Sequence, residues 1–126
     1  MADKTPAPSS EIAIVEAYGN GRFRIGGVVH AGSVVVRSAG VEPWPVAQAA
    51  DITVESLHAV FAAEPRVELL LIGCGSRQAL LPAALRARLR EAGIALETMD
   101  TGAACRTYNV LVAEGRRVAA ALIAVA

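Results

Sequence analysis

The hydrophobic pattern changes character part-way along the chain. From residue 11 to residue 41, short apolar runs alternate with glycine-rich turns, and residues 22–25 alternate strictly between polar and apolar. That alternation is typical of half-buried strands. Gly19-Asn20-Gly21 supplies positions that tolerate a positive φ, as a hairpin turn requires. The pattern predicts an antiparallel β meander with strands near residues 12–18, 22–25, 28–30 and 33–37.

Residues 41–46 break this pattern because they contain Pro43 and Pro45. Proline removes a donor from the hydrogen-bond ladder, so the segment cannot be a central strand. We expect an extended crossover in which Trp44 covers an apolar edge.

A helix is predicted next, from about residue 54 to residue 63. Thr53 is a suitable N-cap, and Pro65 closes the segment. Leu57, Val60 and Phe61 are spaced at i, i+3 and i+4, which gives this helix one buried stripe.

The second half of the chain has an α/β pattern. Residues 67–72 form a nearly continuous apolar run, as expected of a strand covered on both faces. A helix is predicted to begin near Pro82 and to end at Gly93. A strand at 94–99, a helix at 103–114 and a strand at 118–125 follow. Residues 11–126 therefore form one compact α/β domain, and the Pro-, Ser- and Ala-rich residues 1–10 are predicted to be a disordered tail.

Composition excludes several classes of function. Twelve Lys plus Arg balance twelve Asp plus Glu, so no global charge favours nucleic acid, and aromatic residues are only 4% of the chain. No apolar run approaches the roughly 20 residues of a membrane span, and the first ten residues lack the apolar region of a secretory signal. We expect a cytoplasmic protein with no nucleic-acid partner and no membrane insertion.

Residues 73–76, Gly-Cys-Gly-Ser, follow the buried strand and precede a predicted helix. A glycine-rich turn in that position can offer backbone N–H groups to an anion. The segment matches neither the dinucleotide-binding glycine pattern nor a P-loop. A tight turn is therefore favoured over a phosphate cradle.

The polar stretch from Asp100 to Asn109 is the richest in hydrogen-bonding side chains. Asp100 or Thr101 can cap the helix that begins there. Arg106 either returns to Asp100 as a structural ion pair, which we favour, or projects into a cleft as an anion clamp. The spacing of Tyr108 predicts a buried ring with a hydroxyl partner, whereas Asn109 lies on another face as a surface contact.

Cys74 and Cys105 each follow a strand. They are interpreted as buried thiols, with a redox pair or a nucleophile as the alternative. His30 and His58 are distant in sequence from both cysteines, and none of the close ligand spacings of structural zinc occurs. No carboxylate pair suggests acid–base catalysis. We therefore expect no catalytic residue, no metal and no cofactor.

Three segments, 71–75 (LIGCG), 99–111 (MDTGAACRTYNVL) and 114–120 (EGRRVAA), resemble a family of small domains of unknown function. That family includes the mitochondrial NADH dehydrogenase (complex I) assembly factor three and the adipogenesis-associated domain protein. The resemblance covers about residues 12–125. The family's glycine turn often reads Gly-Thr-Gly, so Cys74 departs from it.

The resemblance implies a layered α/β fold with a mixed central sheet, flanking helices and a smaller β layer. It implies no established catalytic activity, and its mitochondrial members act through protein contacts. The missing presequence suggests a bacterial relative.

Our leading hypothesis is a non-enzymatic protein-binding or assembly module, related to assembly of complex I or another membrane complex. The alternative is a domain, either enzymatic or purely binding, that holds a small molecule or a small anionic ligand in the cleft between the turns at 73–76 and 100–106. Either function would use the same predicted contact residues: Gly73, Cys74, Gly75, Asp100, Thr101, Cys105, Arg106, Tyr108 and Asn109.

Overall fold

The computed structural model describes residues 12–126. Within that range the chain forms eight β-strands and three α-helices in one α/β domain. The tail predicted for residues 1–10 lies outside the described residues.

The first three strands form a small antiparallel sheet. Strands β1 (Val15–Gly19), β2 (Arg22–Ile25) and β3 (Val28–Ala31) pair in chain order. Asn20, at the β1–β2 turn, has a φ of 54°, between two glycines that also have positive φ. The predicted meander is confirmed for these strands, but the fourth predicted strand leaves it for a second sheet.

The second sheet has five strands and forms the centre of the domain. It consists of β4 (Val34–Arg37), β5 (Gly40–Pro43), β6 (Leu69–Gly73), β7 (Ala95–Met99) and β8 (Val118–Leu122), in the order β5-β4-β8-β6-β7. Strand β4 is antiparallel to both neighbours, whereas β6 is parallel to both of its own. The sheet is therefore mixed.

The segment around Pro43 differs from the expected crossover. Its first part pairs with β4 as the edge strand β5, where a missing proline N–H costs no ladder bond if it faces outward. Trp44 follows and is buried as predicted, with its Nε1 donating to the backbone oxygen of Ser56 at 2.8 Å.

The predicted helix at 54–63 is also corrected. A 3₁₀ turn (Glu55–Leu57) leads into the short helix α1 (His58–Phe61). A continuous α-helix would direct the Ser56 carbonyl to the N–H four residues later, but this carbonyl accepts the Trp44 indole N–H instead. Thr53 still marks the start, because its Oγ1 accepts from the Ser56 N–H at 3.1 Å.

The large sheet separates two hydrophobic cores. On one face, helix α2 (Ala83–Glu91) packs with α1 and Trp44. Leu85 and Leu89 form its buried stripe, as predicted, whereas Leu81 is buried in the same core but precedes the helix. On the other face lie helix α3 (Thr101–Ala113) and the small sheet. Alternate residues of β6 belong to the two cores, which is why this strand is apolar throughout. Burial of one such leucine contributes about 2 kcal/mol.

Candidate functional site

Five of the predicted contact residues, Gly73, Cys74, Gly75, Asp100 and Thr101, lie at the edge of the large sheet where its three parallel strands finish, and the other four follow along helix α3. Gly73 at the end of β6 is level with Met99 of β7 and Leu122 of β8. Helix α3 begins directly after β7, so its first turn lies across this edge. Open α/β sheets usually bind ligands in this position.

Thr101 is the central residue of this edge. Its side chain is fully buried, and its Oγ1 accepts from the Gly75 N–H at 3.0 Å and donates to the Ile123 carbonyl at 2.7 Å. Its own N–H donates to the Gly75 carbonyl at 2.8 Å. One hydroxyl therefore ties the segments that follow β6 and β8 to the start of α3.

The turn after β6 is occupied by internal hydrogen bonds. The Cys74 N–H donates to the Met99 carbonyl at 2.8 Å, and the Gly75 N–H is held by Thr101. Residues 74–82 separate β6 from α2, so the turn is not followed directly by the expected helix. Its first two N–H groups are therefore not presented to an anion at a helix N-terminus.

Asp100 is the N-cap of α3, as predicted, and its Oδ1 accepts from the Ala103 N–H at 2.8 Å. The predicted ion pair between Arg106 and Asp100 is wrong, since no salt bridge joins these two residues within residues 12–126. A helical side chain leans toward the N-terminus only far enough to meet residues three or four positions back, and six positions exceed that spacing. Arg106 is exposed at the surface of α3.

Tyr108 and Asn109 both attach α3 to the start of the chain's first strand. The Tyr108 side chain is buried, and its hydroxyl donates to the Ala13 carbonyl at 2.7 Å, so its predicted packing is confirmed. Asn109 differs from the expected surface contact, because its side-chain amide bonds to the protein's own backbone. Its amide accepts from the Val15 N–H at 3.0 Å and donates to the Val15 carbonyl at 2.8 Å, as a neighbouring strand would.

The two cysteines are free and buried in different cores. Cys74 belongs to the core on the α2 face and Cys105 to the core on the α3 face, so the large sheet separates them. Burial raises the pKa of the Cys105 thiol to about 12, which keeps it protonated at neutral pH. The interpretation as buried thiols fits this geometry, whereas a redox pair does not.

Tyr18 and Val110 are residues of this region that the sequence did not single out. Tyr18 belongs to β1. It stands at the end of β1 with its hydroxyl against the backbone of Gly102, where an added methyl group would overlap it. The Arg106 side chain is also close to Gly102, because its Nη1 is 3.4 Å from the position that a Cβ on this glycine would take. Val110 follows Arg106 one turn along α3. Tyr18 is 44% and Val110 58% exposed. We call Tyr18, Arg106 and Val110 the α3 patch.

Residues 12–126 contain no group of three or more His, Cys, Asp or Glu side chains placed to hold a metal ion. None of their helices combines the length and apolar character that crossing a membrane requires.

The family described as "Protein of unknown function (DUF498/DUF598)" matches residues 15–123. The chain belongs to this family. An uncharacterized protein of Rhodobacter capsulatus is 39% identical over 123 residues, which cover 98% of this chain and 93% of that protein. The NADH dehydrogenase (ubiquinone) 1 alpha subcomplex assembly factor 3 of Xenopus tropicalis is 37% identical over 91% of this chain. The match spans only 63% of that assembly factor.

Solved structures of the same fold confirm the layered α/β architecture. A crystal structure from Bartonella henselae, described as an outer membrane protein, is similar with a TM-score of 0.85 and 41% identity, covering 92% of this chain and 98% of that one. A solution structure from Bordetella pertussis, described as a Mth938-like domain, has a TM-score of 0.77 and 34% identity, covering 98% of this chain and 91% of that one.

Thr101→Val is expected to lower the free energy of unfolding by about 3 kcal/mol, because it leaves the Gly75 N–H and the Ile123 carbonyl without their partner. Thr101→Ser keeps the hydroxyl and is expected to cost only about 1 kcal/mol for the lost methyl group. Urea unfolding of both variants measures the difference. Equal losses would show that packing, not hydrogen bonding, fixes this residue.

Gly73→Ala and Gly102→Ala provide a second matched pair. A Cβ on Gly73 would lie 2.9 Å from the Thr101 Cα, which is backbone and cannot move aside, so we expect a loss of about 3 kcal/mol. A Cβ on Gly102 meets the end of the Tyr18 side chain, which can swing into solvent, so we expect a change of about 1 kcal/mol or less. The midpoints of urea unfolding test this order, and the reverse order would contradict the packing described.

Proposed function

We propose that this chain is a non-enzymatic protein-binding module that acts in the assembly of a larger complex and contacts its partner through the α3 patch. The observation that carries the proposal is how the polar residues of the hinge are used. Asp100, Thr101 and Asn109 direct their side chains to the chain's own backbone. The exposed side chains beside them are Tyr18, Arg106 and Val110.

The composition of the α3 patch supports this role. Tyrosine and arginine are enriched among the residues that dominate protein–protein binding energy, and an adjacent aliphatic side chain supplies apolar area. The patch lies on one helix and one strand end that are themselves fixed by hydrogen bonds from Tyr108 and Asn109. A rigid surface loses little conformational entropy when a partner binds.

Respiratory complex I is the partner assembly that we propose first, with other membrane complexes as the alternative. The support comes from the relatives named as NADH dehydrogenase assembly factors, of which the chain matches 63% of the Xenopus tropicalis protein. The part of that protein outside the match can carry its own contacts, so the partner has to be identified by experiment.

The rival function, binding of a small anion between the two turns, receives less support. A cradle there would need the N–H groups of Cys74 and Gly75 and the hydroxyl of Thr101. All three already have partners within the protein.

Arg106→Glu is expected to reduce partner capture at least tenfold without changing stability, because reversing an exposed interface charge replaces attraction by repulsion. The tagged chain is crosslinked mildly in its native cells, captured, and the recovered respiratory subunits are quantified by mass spectrometry. Arg90→Glu is the matched control, since Arg90 is also exposed on a helix but lies on α2, which packs on the opposite face of the large sheet.

Two results would contradict different parts of the proposal. Equal capture by Arg106→Glu and the unchanged chain would exclude the α3 patch as the contact surface. Capture that recovers no respiratory or membrane-complex subunit would exclude the assembly role, whatever the variant does.

A further inference from the structure

Three arginines gather at the end of the large sheet opposite to the candidate site. Arg37 is the last residue of β4, Arg117 immediately precedes β8, and Arg66 comes three residues before β6. These strands are neighbours in the order β4-β8-β6. The pairing of Arg37 with Ala119, and of Leu69 with Val118, brings the three arginines to one edge.

A small surface pocket of about 30 Å³ lies between them. The described residues that line it include all three arginines and no Asp or Glu: Arg37, Ser38, Pro65, Arg66, Val67, Arg117 and Val118. A single water molecule needs about 10–15 Å³ of such space, so the pocket itself admits a few atoms of a ligand. The rest of a bound group would remain in solvent.

Other contacts hold two of the three arginines in place. Arg117 pairs with the Glu68 carboxylate, and its backbone carbonyl accepts from the Glu68 N–H at 2.8 Å. Arg66 donates from Nη2 to the Ala92 carbonyl at the end of α2, at 3.2 Å. Each guanidinium carries five N–H donors, so these contacts fix the side chains and leave further donors for a ligand.

The pocket lining carries three arginines and no carboxylate, although the whole chain is neutral with twelve basic and twelve acidic residues. A hydrogen bond and the charge of Arg117, with smaller contributions from Arg116 and Arg66, hold the pKa of the Glu68 carboxyl below its usual value. One exposed carboxylate therefore lies in the field of several guanidinium groups. Such a local excess attracts anions even when the net charge is zero.

We propose that Arg37, Arg66 and Arg117 bind one phosphate group. A phosphate carries up to two negative charges and three acceptor oxygens, so it can pair with three arginines that line one pocket, which a single carboxylate cannot. The source is either free inorganic phosphate or the phosphate of a lipid headgroup. This site lies beyond the proposed function, because it is at the opposite edge of the sheet from the α3 patch.

An NMR titration of the ¹⁵N-labelled chain with inorganic phosphate tests the proposal, with sodium chloride at matched ionic strength as the control. Saturable shifts are expected for the amides of residues 37, 66, 117 and 118. Arg37→Gln should weaken the affinity about tenfold, the low end for a charge-assisted hydrogen bond. Arg90→Gln, at an exposed arginine outside the pocket, should leave the affinity unchanged.

A second arm identifies the source. Flotation with phosphatidylcholine vesicles that contain phosphatidic acid is compared with flotation with pure phosphatidylcholine. Binding that needs phosphatidic acid and is weakened by Arg37→Gln supports the site with a lipid headgroup, whereas saturation by free phosphate alone supports it with a soluble ligand. The proposal would be overturned if phosphate binding did not saturate and flotation did not depend on Arg37. Equal affinities for Arg37→Gln and the unchanged chain would also overturn it.

Discussion

The hydrogen bonds of one buried hydroxyl organise the edge at which the parallel strands finish. Thr101 Oγ1 lies between the Gly75 N–H and the Ile123 carbonyl, at 3.0 and 2.7 Å, and water does not reach it. A donor and an acceptor buried without this partner would each cost about 1–3 kcal/mol. The close packing of Gly73 against the Thr101 backbone depends on the same arrangement, since no larger residue fits there. These contacts form a structural junction that joins the segments after β6 and β8 to the start of α3.

Helix α3 extends this junction to the small sheet. Tyr108 and Asn109 donate to carbonyl groups of Ala13 and Val15, and Asn109 also accepts from Val15. Through these bonds α3 fixes the small sheet to the same face of the large sheet, and Tyr18 at the end of β1 reaches the first turn of α3. The side chains of Asp100, Thr101 and Asn109 are used within the protein, whereas those of the α3 patch are exposed. This division explains why we assign binding to Arg106 rather than to Thr101 or Asn109.

Local signals in the sequence were sufficient where the interaction itself is local. The Asp100 cap, the leucine stripe of α2 and the apolar strand β6 follow from spacings of a few residues. Long-range partners were not predictable. The amide of Asn109 pairs with Val15, 94 positions away, and the indole of Trp44 diverts a carbonyl from the predicted helix at 54–63. Neither event leaves a periodic signal. Arg106 and Asp100 failed as a pair because helical spacing, not charge, decides which side chains meet.

Hydrogen exchange at the Gly75 amide under native conditions tests the central claim most directly. If Thr101 Oγ1 holds this N–H within the junction, the amide exchanges only when the domain unfolds, and its protection matches that of the β6 amides. Exchange at the rate of an exposed loop amide would contradict the account. The turn after β6 would then have a free donor for an anion, and the polar hinge would have to be assigned a binding role rather than a structural one.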